Sequence, residues 1–265
     1  MRLLSLSALT SLTLAATCWV GDLYAETALS PEAQVQVPIK ALRNNDILAV
    51  FKLAPADQQA EAKANWQKAR TEASPEDKAK ITEFFNTMLA PNAVDELMAI
   101  AEPQLAQINS QELVGYVQMF GGMAAMQMAQ DPKTAEAGKM LQQLVGDVAA
   151  WVPKAGFEDP AKLRTALTSV VAATKALGVK TSDELLALDL EQLLTRSGPA
   201  IKELKAALRA YDLQTDAVLD SFKLSNVQGS DDKRTATAQV TLFGHSYSVP
   251  VNLVLKDGVW QIENE

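Results

Sequence analysis

At 265 residues the chain is long enough for one large or two small domains. Its 24 Lys and Arg against 32 Asp and Glu leave a net charge of −8, which argues against nucleic acid and anionic lipid as main partners. One cysteine, Cys18, and one histidine, His245, leave little room for disulfides, thiol chemistry or histidine-rich metal sites.

The first residues set the compartment. Arg2 is a short positive n-region, Leu3 to Val20 form an apolar run broken by Ser and Thr, and Leu23-Tyr24-Ala25 ends in a small residue. That order is a cleavable bacterial signal peptide over 1–25, cut between Ala25 and Glu26, and it sends the protein to the periplasm. A retained membrane anchor is the competing reading, because about 18 apolar residues can just span a bilayer. A lipoprotein acylated at Cys18 fits less well, since Thr17 precedes the cysteine and Ala15 stands three places before it. Cleavage removes Cys18. The mature chain then has no thiol and no stable membrane span, and core burial alone must hold it.

Residues 26–37 lack helical periodicity and read as a flexible tether. A helical body is expected over 38–212. Ile39–Leu42 and Ile47–Leu53 are short apolar stretches, with Asn45 or Asp46 able to cap the second through its side-chain oxygen. Pro55 stops that helix, and a polar, Ala-rich helix to about Arg70 is anchored by Trp66. Ser74-Pro75-Glu76-Asp77 is an N-cap, a first-turn proline and two dipole-favouring acids, and Ile81, Phe84, Phe85 and Met88 then line one face. Val94, Leu97, Met98 and Ala101 carry the next helix into Pro103, which should kink or end it. Ser110 opens a helix to about Gln130, and Asp131-Pro132 starts another that runs to Trp151 before Pro153.

Asp159-Pro160 begins a further helix, with Leu163, Leu167, Val170, Thr174 and Leu177 at helical spacing and Gly178 as its stop. Thr181 to Glu184 is a capping box before a Leu-rich helix to Thr195. Pro199 to Tyr211 completes the series. Short connections imply antiparallel neighbours.

The period then changes to two, and residues 213–265 read as a C-terminal sheet unit. Ala236, Ala238, Val240 and Leu242 share a face, as do Tyr247, Val249, Val251, Leu253 and Leu255, with Trp260 and Ile262 after Asp257-Gly258. Hairpin pairing of Leu242 with Tyr247, Val240 with Val249, Leu255 with Trp260 and Leu253 with Ile262 puts these side chains on one face. Phe222 and Leu224 add a strand before Gly229-Ser230-Asp231. Two-residue loops at both Gly244-His245 and Asp257-Gly258 are incompatible. Ser246 and Lys256 are separated by an even number of residues, so their N–H groups point the same way. Pro250 lacks an N–H and should direct that gap toward the final strand, past its end. A four-residue loop at Phe243–Ser246 and a two-residue turn at Asp257-Gly258 resolve the conflict. The fold class is therefore α+β and predominantly α: antiparallel helices with a C-terminal antiparallel sheet of three or four strands.

The ending VTLFGHSYSVPVNLVLKDGVWQIENE resembles the last hairpins of small exported bacterial proteins, some of them nuclear-transport-factor-like α+β domains. The segment ALRNNDILAVFKLA resembles the opening helices of that family, and the remainder is similar to uncharacterised exported proteins of Gram-negative bacteria. The resemblance implies that Ile47–Leu53 covers the apolar sheet face. The long helical body departs from the family pattern, so no functional residue is carried over.

Candidate chemistry is sparse. His245 sits in a polar turn and reads as an exposed turn residue unless an acid or nucleophile meets it. Met119, Met123, Met126 and Met128 could offer thioethers to cuprous copper, but apolar neighbours and no adjoining His or Cys make core packing the expected role. Residues 113–129 read as a buried central helix, with Gly121 and Gly122 admitting a close neighbour at about 1 kcal/mol of helix propensity each. Asp95-Glu96, Asp183-Glu184 and Asp189 with Glu191 are the acid clusters, the first two near helix starts where acids serve the dipole. No catalytic, cofactor or metal residue is assigned. The expected function is non-enzymatic binding of an envelope protein or an apolar small molecule. A hydrolase using a carboxylate pair is the alternative.

Overall fold

The computed structural model describes residues 29–263 apart from 106, 108, 132, 133 and 257. The expected signal peptide, with Cys18 and the expected Ala25–Glu26 cut, lies outside the described residues. The predominantly α reading with a C-terminal antiparallel sheet holds: a series of helices precedes a single four-stranded sheet.

Helix α1 spans Pro31–Arg43 and begins seven residues before the expected Pro38. Ser30 caps it, accepting from the Ala33 N–H, and Pro31 occupies the first turn, where no N–H is needed. The tether reading of this stretch missed the helix because its buried face, Pro31, Gln34 and Pro38, is not conventionally apolar. Helix α2 (Ile47–Lys52) is capped by Asp46, and α3 (Ala56–Glu72) hangs on Trp66, whose Nε1 donates to the Leu188 carbonyl at 2.9 Å. Helix α4 (Pro75–Leu89) opens with the Ser74–Asp77 capping box, and α5 (Ala93–Leu105) accommodates Pro103 in its last turn. Helix α6 (Ser110–Tyr116) passes through one π-turn, Val117–Gly121, into α7 (Gly122–Gln130).

Helix α8 (Ala135–Ala155) runs through Pro153 and stops at Gly156, which adopts φ +65°. Lys162 donates to the Ala155 carbonyl there, satisfying one of the orphan acceptors. Helix α9 (Pro160–Ala176) is capped by Asp159 and terminated near Gly178. The next break corrects the sequence reading. Helix α10 (Ser182–Ala187) is short, and α11 (Leu190–Arg209) continues through Pro199 without interruption. Asp189 and Gln192 form a full capping box at the new start, which outweighs the single hydrogen bond that Pro199 removes. Helix α12 (Thr215–Ser221) leads into the sheet.

The body packs around α9, which meets α11 along its length and α4 and α5 on its other side. Phe85, Val179 and Leu188 centre one core cluster; Met88, Ala93 and Val171 centre another. Strands β1 (Lys223–Ser230), β2 (Lys233–Leu242), β3 (His245–Lys256) and β4 (Val259–Ile262) lie in sequence order. Ala236, Leu253 and Trp260 form the sheet's own cluster. The sheet packs on α1, α12 and α8, while α2 packs on α1 and α11. Covering of the sheet by Ile47–Leu53 is thus replaced by covering with the helix before it.

Leu255 pairs with Trp260 and Leu253 with Ile262, as expected. At the other hairpin Leu242 pairs with His245 and Val240 with Tyr247, so the loop is two residues, Phe243-Gly244, and the four-residue loop is not formed. The parity constraint is met by moving the turn one residue toward the N-terminus. His245 and Lys256 are then an odd number of residues apart and their N–H groups point to opposite neighbours. Phe243 takes φ +54° to allow it, a conformation that disfavours side chains by about 1–2 kcal/mol. Pro250 does lie on the β4 side: its neighbour Asn252 accepts from the Glu263 N–H, and β4 ends before reaching Pro250.

Candidate functional site

Helix α8 carries the pieces of the site in order. Asp147 and Trp151 are one helical turn apart and so share a face. The Phe243-Gly244 turn docks on that face. The Phe243 ring lies 5.4 Å from the Trp151 ring, and Trp151 continues to Phe157 at 5.4 Å, nearly perpendicular. Phe157 reaches Tyr211 at 5.0 Å, and the Trp151 indole N–H donates to the Tyr211 carbonyl at 3.1 Å. Offset and edge-on ring contacts of this kind add about 0.5–1.5 kcal/mol each beyond area burial.

This aromatic wall bounds a groove of about 680 Å³. Leu105, Leu113, Tyr116, Val117 and Leu163 close its other sides, and Gln107, Asn109 and Glu112 are its few polar groups. Asn109 is already engaged as the cap of α6, accepting from the Gln111 N–H at 3.0 Å. Burial raises the Tyr211 hydroxyl above the usual phenol range. Volume and lining match a site for an apolar small molecule or side-chain cluster.

Asp147 is the hub beside this wall. The Tyr247 hydroxyl donates to its Oδ2, and His245 Nδ1 lies 2.7 Å from the same atom. These two partners, the tyrosine first, hold the Asp147 carboxyl below the usual carboxylate range. Burial, then the contact with Asp147, pushes the Tyr247 phenol well above its ordinary value. His245 is thus not a free turn residue. Sequence reasoning placed it in a turn and lacked its acid, which sits about 100 residues away on a helix. Asp147 is thus the acid that meets His245, and together with Tyr247 it ties the turn to α8. The available signal was the i, i+4 placement of a carboxylate with Trp151, on the face that Leu144 shares.

The remaining candidates disperse. Asp95 pairs with Arg164 at 2.6 Å, Glu96 accepts from the Asn92 amide, Asp183 pairs with Lys78 and Glu191 with Lys63. Glu184 accepts from the Lys180 N–H and Asp189 caps α11. Each of these acids has a structural partner. Among the described residues no group of three or more His, Cys, Asp or Glu is placed to hold a metal, and no helix is long and apolar enough to cross a membrane.

The methionine helix is the main correction. Met119, Met123 and Met126 are exposed and not packed in a core, together with Tyr116 and Phe120, while Met128 is half-buried. Only the opposite side of α6 and α7 meets α8. A Cβ on Gly121 would come within 2.4 Å of Val145, and one on Gly138 within 2.7 Å of the Ala129 nitrogen. Pairing of 121 with 145 and of 129 with 138 identifies an antiparallel crossing. Gly122, by contrast, faces open space. The close approach consumes one glycine of the pair, and among the described residues no element covers the apolar stripe. Comparisons with protein-family models, curated proteins and solved structures find no match to this chain.

Proposed function

We propose that this is an exported, periplasmic, non-enzymatic binding protein that holds an apolar ligand in the groove between α6, α8 and α9. The observation that supports the reading is the groove itself: about 680 Å³ walled by Trp151, Phe157 and Tyr116 with few polar groups. Such a lining takes up apolar surface. The Asp147–His245–Tyr247 cluster braces Trp151 from behind through the Phe243 turn, which keeps the wall pre-formed and lowers the cost of binding. A carboxylate-pair hydrolase draws less support, because the acids of each cluster already serve as caps, ion-pair partners or hydrogen-bond acceptors.

Titration with a fluorescent apolar probe such as anilinonaphthalene sulfonate tests this reading. Saturable binding with one site per chain is expected. Leu113→Asp, which introduces a charge on the groove wall from a half-buried position, should weaken it at least tenfold without changing the helical circular dichroism. Equal binding by both proteins would place the apolar site elsewhere.

A further inference from the structure

We propose that the exposed face of α6 and α7 is a homodimer surface, on which a second copy of this chain lays the same helix antiparallel about a two-fold axis at Gly121. This does not rest on ligand binding in the groove.

Tyr116, Met119, Phe120, Met123 and Met126 recur at steps of three and four and are each between 49% and 65% exposed. Together they form an apolar stripe that no helix among the described residues covers. At roughly 200 Å² per side chain, the stripe offers about 600 Å² on each copy. A pair would bury about 1,200 Å² in all, the lower end of what specific interfaces use.

Charge decides the occupant. Residues 113–130 contain no Asp, Glu, Lys or Arg, although the whole chain carries −8. Two copies repel over most of their surface, and this uncharged strip is where they can approach. A helix built to lie on lipid carries Lys or Arg along its polar side, and this one has none.

The strip is also self-complementary. Antiparallel pairing about position 121 sets Tyr116 against Met126 and Met119 against Met123, twice over. Phe120 and Gly122 fall on opposite flanks of that seam, so across the two-fold axis each meets its own counterpart, and a Cβ at Gly122 would meet nothing within 4 Å, which lets the helices approach on that flank. Unbranched methionines conform to such a seam without strain.

The test is sedimentation velocity of protein expressed from the full-length chain, from about 1 to about 200 μM. A monomer–dimer equilibrium is expected. Met123→Glu and Met119→Lys, both at exposed positions, should each weaken it at least tenfold while circular dichroism stays unchanged. The double variant should regain most of the lost affinity, because the introduced lysine of one copy then faces the introduced glutamate of the other. A monomer at every concentration would overturn the proposal, and so would a dimer indifferent to the single variants. Failure of the double variant to recover would overturn the antiparallel pairing. Binding of the monomer to phosphatidylcholine vesicles, lost in Met123→Glu, would give the face to lipid instead.

Discussion

Asp147 accepts from a tyrosine hydroxyl and a histidine nitrogen that belong to one strand and its turn. Because the carboxyl is held below its ordinary 3.8, its contribution to stability is complete above that value. It is lost as pH falls through the lower value of the folded state. Asp147→Asn should therefore flatten the acid limb of stability: the urea midpoint of the variant should fall less between pH 5 and acid than that of the wild type. Parallel acid limbs would contradict the assignment. Gln34 acts at the same scale. It is 5% exposed, its Oε1 accepts from the Trp260 N–H at 2.9 Å, and its Nε2 donates to the Trp260 carbonyl at 3.0 Å. One side chain thus occupies the free edge of β4 as a further strand would. Gln34→Ala should cost about 2–3 kcal/mol in urea unfolding, from two buried hydrogen bonds whose partners are left unpaired. A loss under about 0.5 kcal/mol would show that water replaces it.

Among the elements, the α6–π–α7 helix against α8 offers a paired test. Gly138→Ala would thrust a methyl onto the Ala129 and Ala125 backbone, which cannot yield as a side chain can. It should destabilise by about 1–3 kcal/mol. Gly122→Ala meets open space and should stabilise the protein by up to about 1 kcal/mol through helix propensity. Thermal unfolding of the two variants should move in opposite directions; movement of both downward would contradict the packing. The caps at Ser74, Asp46 and Asp159 were legible in the sequence, because a cap is a local contract between a side chain and an N–H two or three residues on. The faces of β2, β3 and β4 were legible for the same reason: alternation fixes the face. The register of the β2–β3 loop was not. It depends on whether Phe243 tolerates a positive φ, and Trp151, some ninety residues earlier, stabilises it there.

At the scale of the whole molecule, composition and periodicity yielded a helical body with a terminal sheet, and the structure has that architecture. They did not yield which face of residues 113–129 is covered, since an apolar run gives the same signal whether it meets its own chain or a partner. Nor did they yield the groove. Its walls come from α5, α6, α8 and α9 and from Tyr211 just past α11, and only the tertiary fold brings Trp151, Phe157 and Tyr211 together. Native mass spectrometry of the protein purified from the cells that make it tests the binding reading most directly. A bound apolar species of discrete mass should accompany the wild-type protein at up to one per chain and be absent from Leu113→Asp. A bare mass for the wild type, together with no probe binding by the purified protein, would contradict it.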